Sequence, residues 1–442
     1  MNIEDIITQN PWWKNRGWAN TDKHLRQLER YHYVYDRRSD FPLKDGVVVI
    51  YGPRQVGKTT LIKEIIRDKL TNSPSDIFYI SAENIKERFE LYEAIKTIEG
   101  IYHPKYYFID EINSIEDWEK TIKALVDEGL FENKKVVLTG SSSINLMKKA
   151  ERLPGRMAEG QNKFRYYPLN FAEVVKLYGI EANAPQEALT KLEEINDVLF
   201  RYFIHGGFIK AINALYENKI LTEEIFSLYS AWIDGELAKI KRSPETATYI
   251  MEGIANALTN DISWSSLSKG INHVTVAEYV EILKNMFVVD YLEKARRAGQ
   301  GLPKNKKIYF IDPFLYHLAL FRSRKIDSIQ MADFDSMTLG KLAELSVYSN
   351  IAQYLDKRTR ENDFDLRRYL YFERNENGEI DFILKYQNKN YKIESKFGKI
   401  EKEKKDVIYL TKNELASNKL PLAIFLMFGI ESFSLLGKKD KE

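Results

Sequence analysis

Four short apolar runs mark the first third of the chain: Gly46–Tyr51, Asp76–Ser81, Lys105–Glu111 and Lys134–Ser143. Each is rich in Val, Ile, Phe or Tyr with little polar alternation, as strands buried on both faces of a parallel sheet are. Between them the spacing changes. Leu61, Ile62, Ile65 and Ile66 recur at helical steps, and residues 115–128 follow the same rule. Strands alternating with helices predict an α/β domain, a parallel sheet with flanking helices. Residues 186–260 carry Ala, Leu, Ile and Tyr at three- and four-residue spacing and predict a separate helical segment.

The pattern shifts after residue 260. Ser265–Gly270 predicts a short helix and Thr275–Phe287 a second one, with Val276, Val280, Leu283 and Phe287 on its apolar side. Val288–Lys294 and Lys307–Ile311 predict strands around a basic loop. Two helices, a strand, a loop and a strand suit a winged helix over 261–330. Further on, Gly340–Leu355 predicts an amphipathic helix. Leu366–Phe372, Glu379–Lys385 and Tyr391–Lys396 predict strands joined by Asn/Gly turns. A charged stretch with a helix near 401–416 and a last apolar strand at Pro421–Gly429 complete a C-terminal α/β domain over 331–442.

At 442 residues the chain has room for several domains with sizeable cores. A net charge of +2 is near neutral, so any basic surface is local. The absence of cysteine excludes disulfides and Cys-based zinc sites. No run of about 18 apolar residues exists and Met1–Asp5 is no signal peptide, so a cytoplasmic protein without a membrane role is expected.

Chemistry is written most densely at Gly52, Pro53, Arg54, Gln55, Val56, Gly57, Lys58, Thr59 and Thr60, a full G-x-x-x-x-G-K-[ST] phosphate-binding loop. Its glycines let successive N–H groups point inward at a phosphate chain. Lys58 supplies a mobile cation, and the Thr59 hydroxyl is placed to ligate Mg²⁺. The loop follows a strand and opens a helix, so a helix N-terminus faces the phosphates. Asp110-Glu111 ends the third apolar run. There Asp110 would hold Mg²⁺ and Glu111 would polarise the attacking water. Ser141, at the end of the fourth run, is the best placed hydroxyl to touch the γ-phosphate or orient water. Arg156, in the turn Leu153-Pro154-Gly155-Arg156, is either a finger on the γ-phosphate, in cis or from a neighbour, or a solvated loop residue.

The runs GPRQVGKTT, YYFIDEINSIEDWE, VVLTGSSS, LPGR and YYPLNFAEV, in that order, resemble the AAA-type P-loop ATPases of archaea and some bacteria. Gln9-Asn10-Pro11-Trp12-Trp13 is similar to that family's start. The resemblance implies an ATPase core with its N-terminal extension over 1–185 and a helical lid over 186–260. The chain departs at Gly206-Gly207-Phe208-Ile209, where the family would have proline after the aromatic residue.

The C-terminal domain carries Asp381 and, a dozen residues on, Glu394-Ser395-Lys396. Strand alternation puts Glu394 and Lys396 on one face. This pattern and the helix–strand–strand–strand–helix–strand order resemble the PD-(D/E)xK nuclease superfamily, a restriction-endonuclease-like fold. The resemblance implies that Asp381 and Glu394 share a second Mg²⁺ or Mn²⁺, that Glu344 completes its shell and that Lys396 orients a water. The bland reading is a salt-bridged E-x-K pair in a chain rich in both residues. In the winged-helix segment, Arg296, Arg297, Lys304, Lys306 and Lys307 are the candidate DNA contacts. The second helix of that segment has a single basic residue, Lys284, which leaves a protein-binding module open.

The expectation is an Mg²⁺-dependent ATPase coupled to C-terminal modules that bind DNA. An ATP-gated nuclease and an ATP-driven switch with a protein partner are the alternatives, and a homo-oligomer suits each of them.

Overall fold

Two helices, α1 (Ile3–Gln9) and α2 (Lys23–Arg30), precede the first strand in the computed structural model. The four apolar runs become β1 (Gly46–Tyr51), β2 (Ile77–Ser81), β3 (Tyr106–Asp110) and β4 (Lys135–Gly140), and β5 (Lys163–Arg165) is added at one edge. The sheet order is β2-β3-β4-β1-β5 and every pairing is parallel. Helices α3 (Lys58–Lys69), α4 (Arg88–Tyr102) and α5 (Trp118–Asp127) connect successive strands. Parallel strands of this kind are covered on both faces, which is why Val47 to Tyr51 are all buried and the run shows no alternation.

The N-terminal extension is stitched to β2. The Asn10 amide accepts from Tyr79 N at 2.7 Å and donates to Tyr79 O at 2.8 Å. The indoles of Trp12 and Trp13 both donate to Ile77 O, at 3.2 and 3.0 Å. Trp12, Trp18, Leu61 and Ile65 join one core with Tyr79. Into it reaches the Lys63 ammonium, 3.5 Å from the Tyr79 ring centre. Burial lowers the Lys63 pKa to about 8.

The structure describes residues 3–70, 73–141, 153, 155–267, 270–295, 305–375, 378–398, 400 and 402–437. Contacts divide the chain into two units: Met1–Tyr167 with Glu361–Asp363, and Pro168–Arg360 with Phe364–Glu442.

The second unit begins with helices α6 (Phe171–Leu177), α7 (Pro185–Thr190), α8 (Leu192–His205), α9 (Ile209–Asn218), α10 (Glu223–Lys239) and α11 (Pro244–Asn256). The double glycine between α8 and α9 has a steric reason. A Cβ on Gly206, which sits at φ +55°, would lie 1.6 Å from Asp312 Oδ1, and one on Gly207 would lie 1.9 Å from Leu169 O. The Asp312 carboxylate accepts from Gly207 N at 2.7 Å and Phe314 N at 2.9 Å.

Next come β6 (Asp261–Ile262), a 3₁₀ turn at Trp264–Leu267, α12 (His273–Asn285), β7 (Val289–Glu293) and β8 (Lys306–Phe310), with an antiparallel sheet in the order β6-β8-β7. Helices α13 (Pro313–Arg322) and α14 (Ser336–Thr359) lead to a sheet of β9 (Leu370–Asn375), β10 (Gly378–Tyr386), β11 (Lys389–Lys396), β12 (Val407–Thr411) and β13 (Lys419–Pro421), in the order β13-β12-β11-β10-β9. The first three strands pair antiparallel and the last three parallel.

Three expected elements differ. Leu366–Arg368 is a 3₁₀ turn capped by Asp365, and the strand runs instead from Leu370 to Asn375. The helix expected near 401–416 is replaced by β12, whose Val407, Tyr409 and Leu410 are buried between β11 and β13. The last apolar strand stops at Pro421, and Leu422–Phe428 is helix α15. A run apolar on every side suits a buried helix as well as a buried strand, and its order alone does not separate them. No helix among the described residues is long and apolar enough to cross a membrane.

Candidate functional site

The loop after β1 wraps at the C-terminal ends of the parallel strands, where ligands sit in open α/β sheets. Gln55 and Gly57 take left-handed backbone, at φ 65° and 105°, and Gly57 caps α3. Gly52 admits no side chain, because its Cβ would lie 2.2 Å from Tyr166 O. Lys58 is buried, and its ammonium donates to Gly52 O at 2.9 Å and Pro53 O at 2.8 Å. Thr59 and Thr60 follow in the first turn of α3, and Pro53 and Val56 lie in the loop itself.

Asp110 ends β3 and is buried. Its Oδ2 accepts from Thr59 Oγ1 at 2.7 Å and from Tyr79 OH at 3.1 Å, and its Oδ1 accepts from the Thr139 hydroxyl. A threonine hydroxyl and a carboxylate meeting at the loop are hard oxygen donors, the set that suits Mg²⁺. Glu111 follows in left-handed backbone at φ 51°, a conformation unfavourable to a residue with a Cβ and frequent at functional sites. Its carboxylate accepts from Ser141 Oγ at 3.0 Å, while Ser141 N donates to Asn113 Oδ1 at 3.3 Å. Arg54 reaches the same place, with its guanidinium 3.4 Å from both Ser141 Oγ and Glu83 Oε1. The structure therefore brings Thr59 to Asp110, and Ser141, with Arg54 beside it, to Glu111, the residue after Asp110.

Two partners of Asp110 escaped the sequence reading. Thr139 is a hydroxyl in an otherwise apolar strand, a signal that was there to find. Tyr79 lies in a strand rich in aromatic residues and gives no such signal.

Arg156 is elsewhere. Its guanidinium pairs with Asp127 at the end of α5, at 2.6 and 3.0 Å. Its neighbour Met157 bridges Val47, near the start of β1, about 13 Å along the strand from the end that opens the loop. A finger from Arg156 to its own chain's site does not fit this placement.

The candidate residues of the second unit regroup: Lys307 joins Glu344 and Asp381, and Glu394 lies beside Lys404 and Lys396. Arg296, Arg297 and Lys304 lie outside the described residues. Lys306 is half-buried, with its ammonium 5.0 Å from the Trp264 ring centre. Lys307 is no surface cation. Its side chain is fully buried and touches Glu379 at 2.5 Å, Glu344 at 3.0 Å and Asp381 at 3.2 Å. Asp381 and Glu394 flank the antiparallel pair Phe382–Ile393 on neighbouring strands. Glu394, however, bonds Lys404 at 2.5 Å and lies 3.7 Å from Lys396. Among the described residues no three acidic or histidine side chains form a metal-ligand set. The second divalent ion implied by the nuclease resemblance does not fit these side chains as they stand, since the Lys307 ammonium lies between Glu344 and Asp381.

Burial and the Asp381 charge push Glu344 up to about 8, against the pull of Lys307. Burial alone would push the Lys307 ammonium down; Glu344, Asp381 and Glu379 together raise it above its ordinary value.

Comparison with known sequences adds family matches. Residues 44–175 match the profile of an AAA domain, and residues 196–326 match a domain of unknown function, DUF8612. An uncharacterised protein of Methanocaldococcus jannaschii, MJ1544, is 25% identical over 368 residues, spanning 78% of this chain and 74% of that protein. An uncharacterised protein of Haemophilus influenzae is 25% identical over 291 residues, spanning 60% of this chain and 67% of its own length. Among solved structures, the ORC2 protein of Aeropyrum pernix aligns over 71% of this chain and 94% of its own at 14% identity, with a TM-score of 0.36, too low to carry an argument. The match over 44–175 covers the parallel sheet and the phosphate-binding loop, so this part of the chain is similar to an AAA domain in sequence and has the α/β architecture expected of a P-loop core.

Proposed function

We propose that the chain hydrolyses ATP with Mg²⁺ and couples turnover to DNA binding by its second unit. The observation that carries the reading is the meeting of the loop's Thr59 with Asp110, and of Ser141 with Glu111 beside it. The loop N–H groups and the start of α3 receive the phosphates. Lys58 exchanges the carbonyls of Gly52 and Pro53 for the outer phosphate oxygens. Thr59 and Asp110 would hold Mg²⁺, which when bound would neutralise charge on the phosphates. Tyr79 and Thr139 fix the Asp110 carboxylate by hydrogen bonds. Glu111 takes the proton from the water that attacks the γ-phosphorus, and Ser141 orients that carboxylate. ADP leaves with the electrons of the broken P–O bond. Arg156 acts in this reading only from a neighbouring subunit, in a homo-oligomer.

The test is phosphate release by the purified chain. Mg²⁺-dependent release that is lost in Lys58→Ala supports the reading. Release undiminished in Lys58→Ala refutes it. A specific activity that rises with protein concentration and falls in Arg156→Ala supports the neighbour's arginine, and constant activity refutes it.

The DNA half rests on the order α11, β6, 3₁₀ turn, α12, β7, β8, with Lys306 at its hairpin. Affinity for duplex DNA that falls with salt, and falls further when Arg296, Arg297, Lys304 and Lys306 are neutralised, supports it. Binding of a protein partner with no salt-sensitive DNA affinity would favour the switch.

A further inference from the structure

We infer that Lys307 is the resident cation of the Glu344–Asp381 cluster and excludes a divalent ion from it, so that the C-terminal domain is held without metal by a lysine from the preceding hairpin. An ammonium has three N–H donors. Lys307 has three carboxylate partners within 3.2 Å, and no part of its side chain reaches solvent.

The carboxylates are equally engaged. Glu344 Oε1 also accepts from Tyr309 OH at 2.6 Å, and the second Asp381 oxygen accepts from Ser395 N at 3.0 Å. Glu394, which an ion would have to share with Asp381, is turned to the ammonium of Lys404. Each acidic side chain that metal chemistry would need thus already has a cation of the chain against it. An ion entering between Glu344 and Asp381 meets a positive charge at the point it must occupy, and like charges at that range repel strongly in a dry site.

The lysine is also fixed by its backbone. Lys307 pairs with Leu292 of β7 and Asp261 of β6, so its strand is laddered on both sides. The end of β7 is tied on to the C-terminal sheet, where Lys294 bridges Phe372 and Ala295 N donates to Phe372 O at 2.7 Å. The ammonium is delivered by a sheet and not by a loose arm. The inference stands apart from the ATPase reading and shares no residue with it.

The probe is Mn²⁺, titrated into the nucleotide-free full chain and followed by electron paramagnetic resonance. Wild type should show no Mn²⁺ site that depends on Asp381. Lys307→Met should gain one, with affinity at least about tenfold higher, and Lys307→Met/Asp381→Asn should lose it again. Mn²⁺ binding by wild type that Asp381→Asn abolishes would overturn the inference. So would a folded Lys307→Met that gains no site, or plasmid nicking by wild type that Asp381→Asn removes. If Lys307→Met does not fold, Lys307→Met/Glu379→Gln removes one charge of each sign and is judged by the same criterion; the wild-type arm holds in either case.

Discussion

Asp110 has two carboxylate oxygens and three hydroxyl partners: Thr59, Tyr79 and Thr139. A buried carboxylate satisfied on both oxygens has a fixed direction, so in the proposed role Asp110 would not have to be reoriented to hold an ion. Glu111, one residue on, has one hydroxyl donor and strained backbone. Glu111→Gln should therefore keep ATP bound but lower turnover by about 10²- to 10⁴-fold, the worth of a positioned base. Single-turnover kinetics with retained nucleotide checks it, and near-normal turnover would remove Glu111 from the role. Gly206→Ala, by contrast, is a packing change. The new methyl group meets Asp312 and sits at positive φ, so the second unit should lose about 1–3 kcal/mol, read as a lower unfolding midpoint with the ATP site unaltered. Motif residues were legible because phosphate chemistry admits few side-chain types at few spacings. Lys307 was misread for the opposite reason: a lysine in a basic stretch looks like a surface cation until another element is folded against it.

Among elements, the N-terminal 3₁₀ turn at Pro11–Trp13 has an influence out of proportion to its length. Its two indoles hold β2 by the carbonyl of Ile77, its N-cap Asn10 holds both backbone groups of Tyr79, and Tyr79 in turn holds Asp110. Trp12→Ala should lower stability by about 3–5 kcal/mol and reduce turnover as well, whereas an exposed substitution such as Lys14→Ala should do neither. Denaturant melts with parallel ATPase assays distinguish the two. The sequence offered Gln9–Trp13 only as a resemblance, because hydrogen bonds from side chains to a distant strand leave no periodicity. The parallel strands were legible since burial on both faces writes itself as an unbroken apolar run. The same property hid α15, where seven apolar residues fit a helix or a strand equally well.

For the whole molecule, the chain passes between its two units three times, at 167/168, 360/361 and 363/364. Residue pattern and the family resemblance suggested boundaries at 185, 260 and 330, and no feature of 361–363 marked it as part of the first unit. There Asn362 accepts from Asn162 N and Lys163 N, at 2.7 and 3.0 Å, and Asp363 pairs with Lys163 beside it. A ligand confined to the P-loop stabilises the unit that binds it, by about 2.7 kcal/mol at a hundred times its Kd. A non-hydrolysable ATP analogue with Mg²⁺ should therefore protect amides of the first unit from hydrogen exchange and leave the β9–β13 sheet unchanged. Acid–base linkage acts on the second unit. Glu344 is raised from 4.5 to about 8, so its contribution to stability is full below pH 4.5 and is lost as pH rises through 8. Glu344→Gln, which can still accept from Lys307 and Tyr309, should flatten the fall in melting temperature between pH 4.5 and about 8. An unchanged pH profile would show that Glu344 does not titrate there.

A counter-ion that is part of the polypeptide cannot be dialysed out, chelated or exchanged for another. It also cannot be inherited by a fragment. Cutting this chain at 330, where the pattern of elements invites the knife, would part the acids of α14 and β10 from the ammonium that β8 supplies. The isolated C-terminal piece would then carry Glu344, Glu379 and Asp381 with no Lys307 to balance them. Whatever such a fragment bound or cleaved would describe the fragment, because the intact chain carries its own cation to that place.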